Sequence, residues 1–299
     1  MQYLKRFKLA SEGDELGFVF LRSQLDMSCY DMNNAYPFHI FPQKGFEKME
    51  FAPVTVIYGG NGSGKSTLLN VIAEKLMLTR TAPFNDSPIM KRYLEYCDFE
   101  LCDRARSLPC GSEIITSDGV FDFLLDMRSI NSGIDKEREG LLEEYIATAK
   151  DCTANGWRLS SLSEYDELKR RNEVRRGTRS QYVSRRMSAK EVRGKSNGES
   201  AFLYFTQRIK ENALYLLDEP ENSLSAALQC ELARFLEDSV RFYGCQLVIS
   251  THSPFILSIK GAKIYDLDSS PVSVKQWYEL ENMKAYYRLF KDRQNEFET

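Results

Sequence analysis

The stretch Val54-Thr55-Val56-Ile57-Tyr58-Gly59-Gly60-Asn61-Gly62-Ser63-Gly64-Lys65-Ser66-Thr67-Leu68-Leu69 decides the fold. Its first five residues are a β-branched, apolar run bounded by glycine, the pattern of a buried strand. Gly59 to Ser66 then satisfy G-x-x-x-x-G-K-[ST]. The glycines of such a loop let backbone N–H groups approach phosphate oxygens. Leu68, Leu69, Ile72 and Leu76 recur at helical spacing, so the loop opens an amphipathic helix whose positive end favours the same anion. In this context Lys65 reaches the β- and γ-phosphates and the Ser66 hydroxyl ligates Mg²⁺. Gly59, Gly60, Asn61, Gly62, Ser63, Gly64 and Thr67 complete the expected phosphate-binding set.

Working outward, the same alternation returns late in the chain. Leu214 to Leu217 is a buried-strand run that ends in Asp218-Glu219-Pro220. A carboxylate at such a strand end suits Mg²⁺ coordination through water, which assigns Asp218. Glu219, one residue on, is placed to act as general base on an attacking water. Leu228, Leu232, Phe235, Leu236 and Val240 mark a helix, and Leu247-Val248-Ile249 a further buried strand. That strand runs into Thr251-His252, where His252 can sense a γ-phosphate and orient the water. The other histidine, His39, has no such context and reads as structural. Tyr3 to Leu9, Phe46 to Phe51 and Lys263 to Leu267 also read as strands.

Short apolar strands alternating with helices imply a largely parallel sheet covered on both faces. The expected organisation is an α/β core from residues 1–80 and 195–270, a helical insert at 81–194, and a C-terminal helical segment at 271–299. Within the insert, Val120 to Met127, Asp135 to Lys150 and Leu162 to Lys190 read as helices with breaks near Gly133, Gly156 and Gly177. The terminal segment places Trp277, Leu280, Met283, Tyr287 and Phe290 at helical spacing, which suits core packing or a partner.

Composition narrows the class. The chain has 299 residues, 42% of them hydrophobic, an ordinary globular balance. It lacks an apolar run near the roughly 20 residues that span a bilayer, and no signal peptide is expected from Met1 to Ala10. Seven cysteines without a CxxC pair suit a reduced, cytoplasmic protein rather than a zinc or disulfide scaffold. The net charge of −3 hides an asymmetry: residues 167–195 hold eleven Lys/Arg against three Glu, leaving −11 on the remainder. This basic stretch, Lys169 to Lys195, suits a DNA or RNA backbone track, a dock for an acidic partner, or a plain solvated face. Tyr182 is its only aromatic residue, so base stacking has little support.

Four motifs now stand in order: Gly59 to Ser66, Ser196-Asn197-Gly198-Glu199, Leu217-Asp218-Glu219-Pro220 and Thr251-His252. Together they resemble the Walker A, signature, Walker B and histidine-switch motifs of ABC-type ATPases, and in detail the soluble SMC/RecF-related class. The resemblance covers residues 1–80 and 195–270. It implies an ABC-type P-loop NTPase core, ATP and Mg²⁺ as ligands, and hydrolysis of ATP to ADP and phosphate. It further implies a homodimer that sandwiches the nucleotide, with Ser196 and Gly198 reaching the γ-phosphate held by the partner's phosphate loop. Ser196 followed by Glu199 is also a capping box, and the two readings are compatible.

Three departures from the pattern stand out. Ser225 takes the place of the D-loop aspartate of transporter members. The usual Q-loop glutamine has no counterpart; Asp118, 53 residues after Lys65, is the candidate replacement at the metal. The 131 residues between Lys65 and Ser196 leave no room for long coiled-coil arms. The chain carries no nuclease signature, so any effector action is expected in a partner such as a nuclease or toxin. Small ATPases of this resemblance group serve as sensors in bacterial antiviral defence and toxin modules, and that role is carried here as an expectation by analogy. Its rivals are a RecF-like DNA-repair ATPase, separated by ATP-dependent DNA affinity, and a transporter nucleotide-binding subunit, separated by membrane-free purification. Lys65→Ala is expected to abolish ATP binding, and calorimetry showing undiminished affinity would refute the phosphate-loop assignment.

Overall fold

The computed structural model describes residues 1–22, 36–84, 86–102, 107–154, 165–187 and 196–297. Two compact units emerge, one from residues 1–122 and 196–299, the other from residues 123–195. Among the described residues no helix is long and apolar enough to cross a membrane.

The first unit is built on a seven-stranded sheet. Its strands are β3 (Val54–Tyr58), β4 (Thr79–Arg80), β6 (Glu113–Thr116), β7 (Leu214–Asp218), β8 (Gln246–Ser250), β9 (Lys263–Asp266) and β10 (Ser273–Lys275), in the order β10-β9-β3-β8-β7-β6-β4. Only β10 runs antiparallel to its neighbour. Every residue of β3, β7 and β8 is buried, as continuous apolar runs in a doubly covered parallel sheet require. The helix α2 (Lys65–Lys75) packs on β7 and β8 with Leu68, Leu69 and Ile72 fully buried. On one flank of α8 (Ala226–Phe242), Leu232 and Leu236 are likewise inaccessible. This is the mixed, largely parallel α/β core expected of an ABC-type P-loop fold.

A second, antiparallel sheet of order β2-β1-β5 joins β1 (Leu4–Lys8), β2 (Lys48–Glu50) and β5 (Asp98–Leu101). Side chains of the main sheet fasten it, Tyr265 of β9 through both backbone groups of Glu50 (2.9 Å each) and Gln246 through a fuller set of bonds. Gln246, at the start of β8 and wholly buried, accepts from the N–H groups of Tyr3 (2.7 Å) and Leu4 (2.8 Å). Its amide donates to the carbonyls of Leu4 (2.8 Å) and Ala52 (3.2 Å). All four hydrogen-bonding sites of the amide are thus committed.

Several boundaries differ from the sequence expectation. Residues 81–122, expected in the helical insert, carry α3 (Pro88–Tyr96) and the strands β5 and β6, and fall in the first unit. Segments this short and polar-flanked have no periodicity to betray them; sheet pairing creates them. Residues 273–275, expected in a helical tail, form β10 before α10 (Glu281–Asp292) begins. On α10, Met283 is buried whereas Tyr287 and Phe290 are exposed.

The helix α4 (Ser117–Ala154), whose first residues belong to the first unit and the rest to the second, continues through Gly133 without a break. One exposed glycine costs a helix about 1 kcal/mol and does not end it without a cap or proline. Gly177 does separate α5 (Tyr165–Arg176) from α6 (Arg179–Arg186), helped by a Thr178–Gln181 capping box. The break expected at Gly156 lies outside the described residues.

Replacing Gln246 by alanine would take the side-chain acceptor from the Tyr3 and Leu4 N–H groups, each worth about 1–3 kcal/mol, while the Leu4 and Ala52 carbonyls keep Gln2 Nε2 and Thr55 Oγ1 as donors. Gln246→Ala is therefore expected to destabilise the fold by at least about 2 kcal/mol, read as a lowered urea midpoint at unchanged slope.

Candidate functional site

The phosphate loop, Asp118, Asp218, Glu219 and His252 meet at the carboxyl ends of the parallel strands, whereas Ser196 and Gly198 lie at the start of a separate helix. In register, Ile57 of β3 and Asp218 of β7 both lie opposite Ser250 of β8. The loops that leave these strands therefore start level with one another. Ligands of open α/β sheets bind in such a crevice.

The phosphate loop is shaped by its glycines. A Cβ on Gly59 would sit 2.5 Å from Ser63 Oγ, and Gly64 takes φ +100° as the N-cap of α2. Lys65 is buried, and its Nζ donates to the carbonyls of Gly59 (2.8 Å) and Gly60 (3.2 Å). It lies 2.8 Å from His252 Nε2 and 3.5 Å from Glu219 Oε1. Ser63 Oγ is buried without a hydrogen-bond partner, a polar atom aimed into a cradle suited to phosphate oxygens.

Ser66 Oγ donates to Asp218 Oδ1 at 3.1 Å, and the Ser250 hydroxyl makes a short hydrogen bond to the same oxygen. Asp218 is buried. Burial pushes its carboxyl above the ordinary range, against the opposing hydrogen bonds from Ser250 and Ser66 and the charge of Lys65. A hydroxyl and a hard carboxylate side by side fit a Mg²⁺ ion that takes most of its ligands from phosphate and water.

Glu219 adopts φ +47°, a left-handed conformation that is uncommon for a side chain of this size. Its N–H donates to the Ser250 carbonyl at 3.0 Å, and its Oε2 accepts from Asn222 Nδ2 at 3.1 Å. His252 Nε2 is 3.5 Å from Glu219 Oε1, and its ring meets Tyr58 edge-on. Lys65, Glu219 and His252 thus form one contiguous group.

Asp118, at the start of α4, lines a cavity of about 220 Å³ together with Glu219, Pro220, Asn222 and Ser223. It is brought beside the Glu219 turn. Ser196 caps α7 (Asn197–Arg208): its hydroxyl accepts from Glu199 N–H at 3.3 Å and its N–H donates to Glu199 Oε2 at 2.8 Å. A Cβ on Gly198 would lie 2.9 Å from Leu228 and 3.2 Å from the Ser223 carbonyl, so this position seats α7 against the turn after β7. Ser225 is the N-cap of α8. His39 pairs with the buried Glu15 at 3.1 Å.

Residues not assigned from sequence support the site. Glu221 is part-buried, and its Oε1 accepts from Thr251 Oγ1 (2.7 Å), His252 N–H (2.6 Å) and Ser253 N–H (3.1 Å). It holds the His252 loop in place, and burial raises its carboxyl above the usual range. Asp268 accepts from Gly60 N–H at 2.8 Å, and Lys44 donates to the Ser63 carbonyl at 2.7 Å. Only Glu221 carried a sequence signal, its place three residues beyond Asp218. Asp268 and Lys44 lie 208 and 19 residues from their loop partners Gly60 and Ser63, with no local pattern to link them.

Fold and motif order are those of a P-loop nucleotide-binding fold: a largely parallel sheet with the glycine loop, strand-end acids and a histidine at its carboxyl edge. Comparison with known proteins agrees in part. Residues 183–258 match the profile of the family described as "AAA domain, putative AbiEii toxin, Type IV TA system". An uncharacterized ABC transporter ATP-binding protein/permease of Saccharomyces cerevisiae is 24% identical over 203 residues, covering 67% of this chain. The chain spans only 14% of the length of that relative. Among solved structures, an Smc head domain with an extended coiled coil from Pyrococcus furiosus, bound to the C-terminal domain of ScpA, is similar at TM-score 0.41 and 14% identity, over 98% of this chain and 100% of that one. The SMC head domain from Thermotoga maritima is similar at TM-score 0.39 and 13% identity, over 92% and 99% of the two chains.

The raised Asp218 carboxyl carries a sign. A folded-state pKa above the unfolded value gives stability that is present below the unfolded pKa and lost as pH rises through the folded one. At neutral pH the charged, buried Asp218 therefore costs stability. Asp218→Asn is expected to raise the melting temperature at pH 7 by on the order of a few degrees, with the gain shrinking toward pH 4.

Proposed function

We propose that this protein binds ATP with Mg²⁺ and hydrolyses it in composite sites that two copies complete. The observation that carries this reading is the contiguous group Lys65, Glu219 and His252 beside the Ser66–Asp218 pair. Lys65 and the N–H groups of Gly62 to Thr67 hold the β- and γ-phosphates. Ser66 and Asp218, with Asp118 as the replacement for the Q-loop glutamine, hold Mg²⁺, which when bound neutralises phosphate charge. Glu219 takes the proton of the attacking water, and His252 orients that water while marking the γ-phosphate. Catalysis of this kind is positioning and electrostatics rather than covalent chemistry.

Ser196 and Gly198 sit at the N-terminus of α7, where the helix dipole and a hydroxyl favour an anion. In the proposed dimer they reach the γ-phosphate bound to the other copy. The exposed start of α7 suits that contact, since Ser196 is solvent-accessible. The biological reading is a regulatory ATPase whose nucleotide state is sensed by a nucleic-acid-acting effector partner, as in antiviral defence. The family match over the signature-to-histidine segment, whose description names a putative toxin of a toxin–antitoxin system, supports the toxin-module side of this reading.

Glu219→Gln keeps the geometry but removes the base, so ATP-Mg²⁺ is expected to trap the variant as a dimer by light scattering, with turnover lowered at least about 100-fold. A monomer at saturating ATP would overturn the sandwich reading.

A further inference from the structure

The basic stretch of the second unit divides into two populations that the sequence does not distinguish. Three of its arginines are spent inside the unit. Arg170 pairs with Glu144 at 2.9 Å, Arg171 makes a short pair with Asp151, and Arg186 bridges Glu173 (3.2 Å) and Glu144 (3.5 Å). The ring of Tyr182 lies under Arg186, and Tyr182 is buried against Tyr145. These groups hold α5 and α6 to α4 within the unit.

Among the described residues the other five basic side chains, Lys169, Arg175, Arg176, Arg179 and Arg185, are exposed, while Lys190, Arg193 and Lys195 lie outside the described residues. The remaining exposed side chains of residues 169–187 are small or amide-bearing polar groups such as Asn172, Ser180 and Ser184. The face contains no exposed carboxylate, aliphatic or aromatic side chain among its described residues. Its one acid, Glu173, is half-buried and paired with Arg186.

That composition discriminates between partners. Protein–protein interfaces rely on an apolar or aromatic centre, and this face offers none. Single-stranded nucleic acid is held by stacking on aromatic rings, and the only aromatic of the segment is buried. Interfaces with duplexes are polar and strongly positive, and most of their hydrogen bonds go to phosphate and sugar from Arg, Lys, Ser, Thr, Asn and Gln. Lys169 and Arg176 are seven residues apart on α5, two turns and about 10 Å along one helix face, a spacing of about three base-pair steps.

We propose that the outer face of α5 and α6 binds the phosphate backbone of a duplex nucleic acid, without reading its sequence. This assignment does not rest on the ATPase reading, because none of its residues belongs to the phosphate-loop site.

The test uses the full chain, labelled DNA and RNA duplexes and single strands of equal length, with and without ATP-Mg²⁺, by fluorescence anisotropy. Duplex binding is expected to weaken steeply between about 50 and 200 mM salt. The variant R175Q/R176Q/R179Q/R185Q is expected to bind at least tenfold more weakly, with the salt slope reduced by about 3.6 if all four reach phosphates. The R175K/R176K/R179K/R185K variant, which keeps the charge, is expected to retain most of the affinity. Undiminished binding by the glutamine variant, tighter binding of single strands than of duplex, or equal competition by polyglutamate would each overturn the proposal. Failure of ATP to dimerise the protein would count against the ATPase reading and leave the nucleotide-free duplex result standing.

Discussion

Parallel pairing of β3, β8 and β7 brings Ile57, Ser250 and Asp218 to one level at the edge of the sheet. The rest of the site depends on that register. From this edge depart the glycine loop, the Glu219 turn and the His252 loop, and β6, paired to β7 with Thr116 opposite Asp218, delivers Asp118 to the same side. A slip of one residue would turn every strand side chain to the opposite face. Three strands buried on both faces make such a slip prohibitive, so the apolar core and the polar edge are specified by the same contacts.

Polar groups at that edge are arranged at a cost to stability. Asp218 and Glu221 are withdrawn from water, and the hydrogen bonds they accept offset only part of the desolvation. Glu219 is held in a left-handed turn by backbone and side-chain hydrogen bonds to Ser250 and Asn222. Strain and buried charge of this sort persist where surrounding structure over-determines them. In the proposed ATPase, the same features place a base, a metal carboxylate and a sensing imidazole within reach of Lys65 before nucleotide arrives.

The two units handle charge differently. In the core, ionisable groups converge on one another; in the second unit they are sorted, with paired arginines facing α4 and unpaired ones facing solvent. An inward arginine that lost its acid would leave a charge unpaired in a half-buried setting, whereas an outward one is hydrated and free to meet an external anion.

Much of this was legible in the chain itself. The loop Gly59 to Ser66, the strand-end acids Asp218 and Glu219 and the position of His252 are local patterns, and local patterns survive without knowledge of the fold. So are the buried strands β3, β7 and β8, whose apolar runs announce burial on both faces. What lay hidden depends on contacts between distant residues. Gln246 fastens two sheets through Tyr3 and Leu4, Asp268 meets Gly60, and Glu221 holds the loop of His252. The short strands β5, β6 and β10 exist because a neighbour offers hydrogen bonds, and no periodicity marks them. Sequence by itself determined the chemistry available and the class of fold, because motif spacing and apolar periodicity are properties of the backbone's own geometry. Tertiary structure alone decided which of the eight like-charged residues described between 169 and 187 are paired and which face solvent, because burial and pairing are set by what packs alongside.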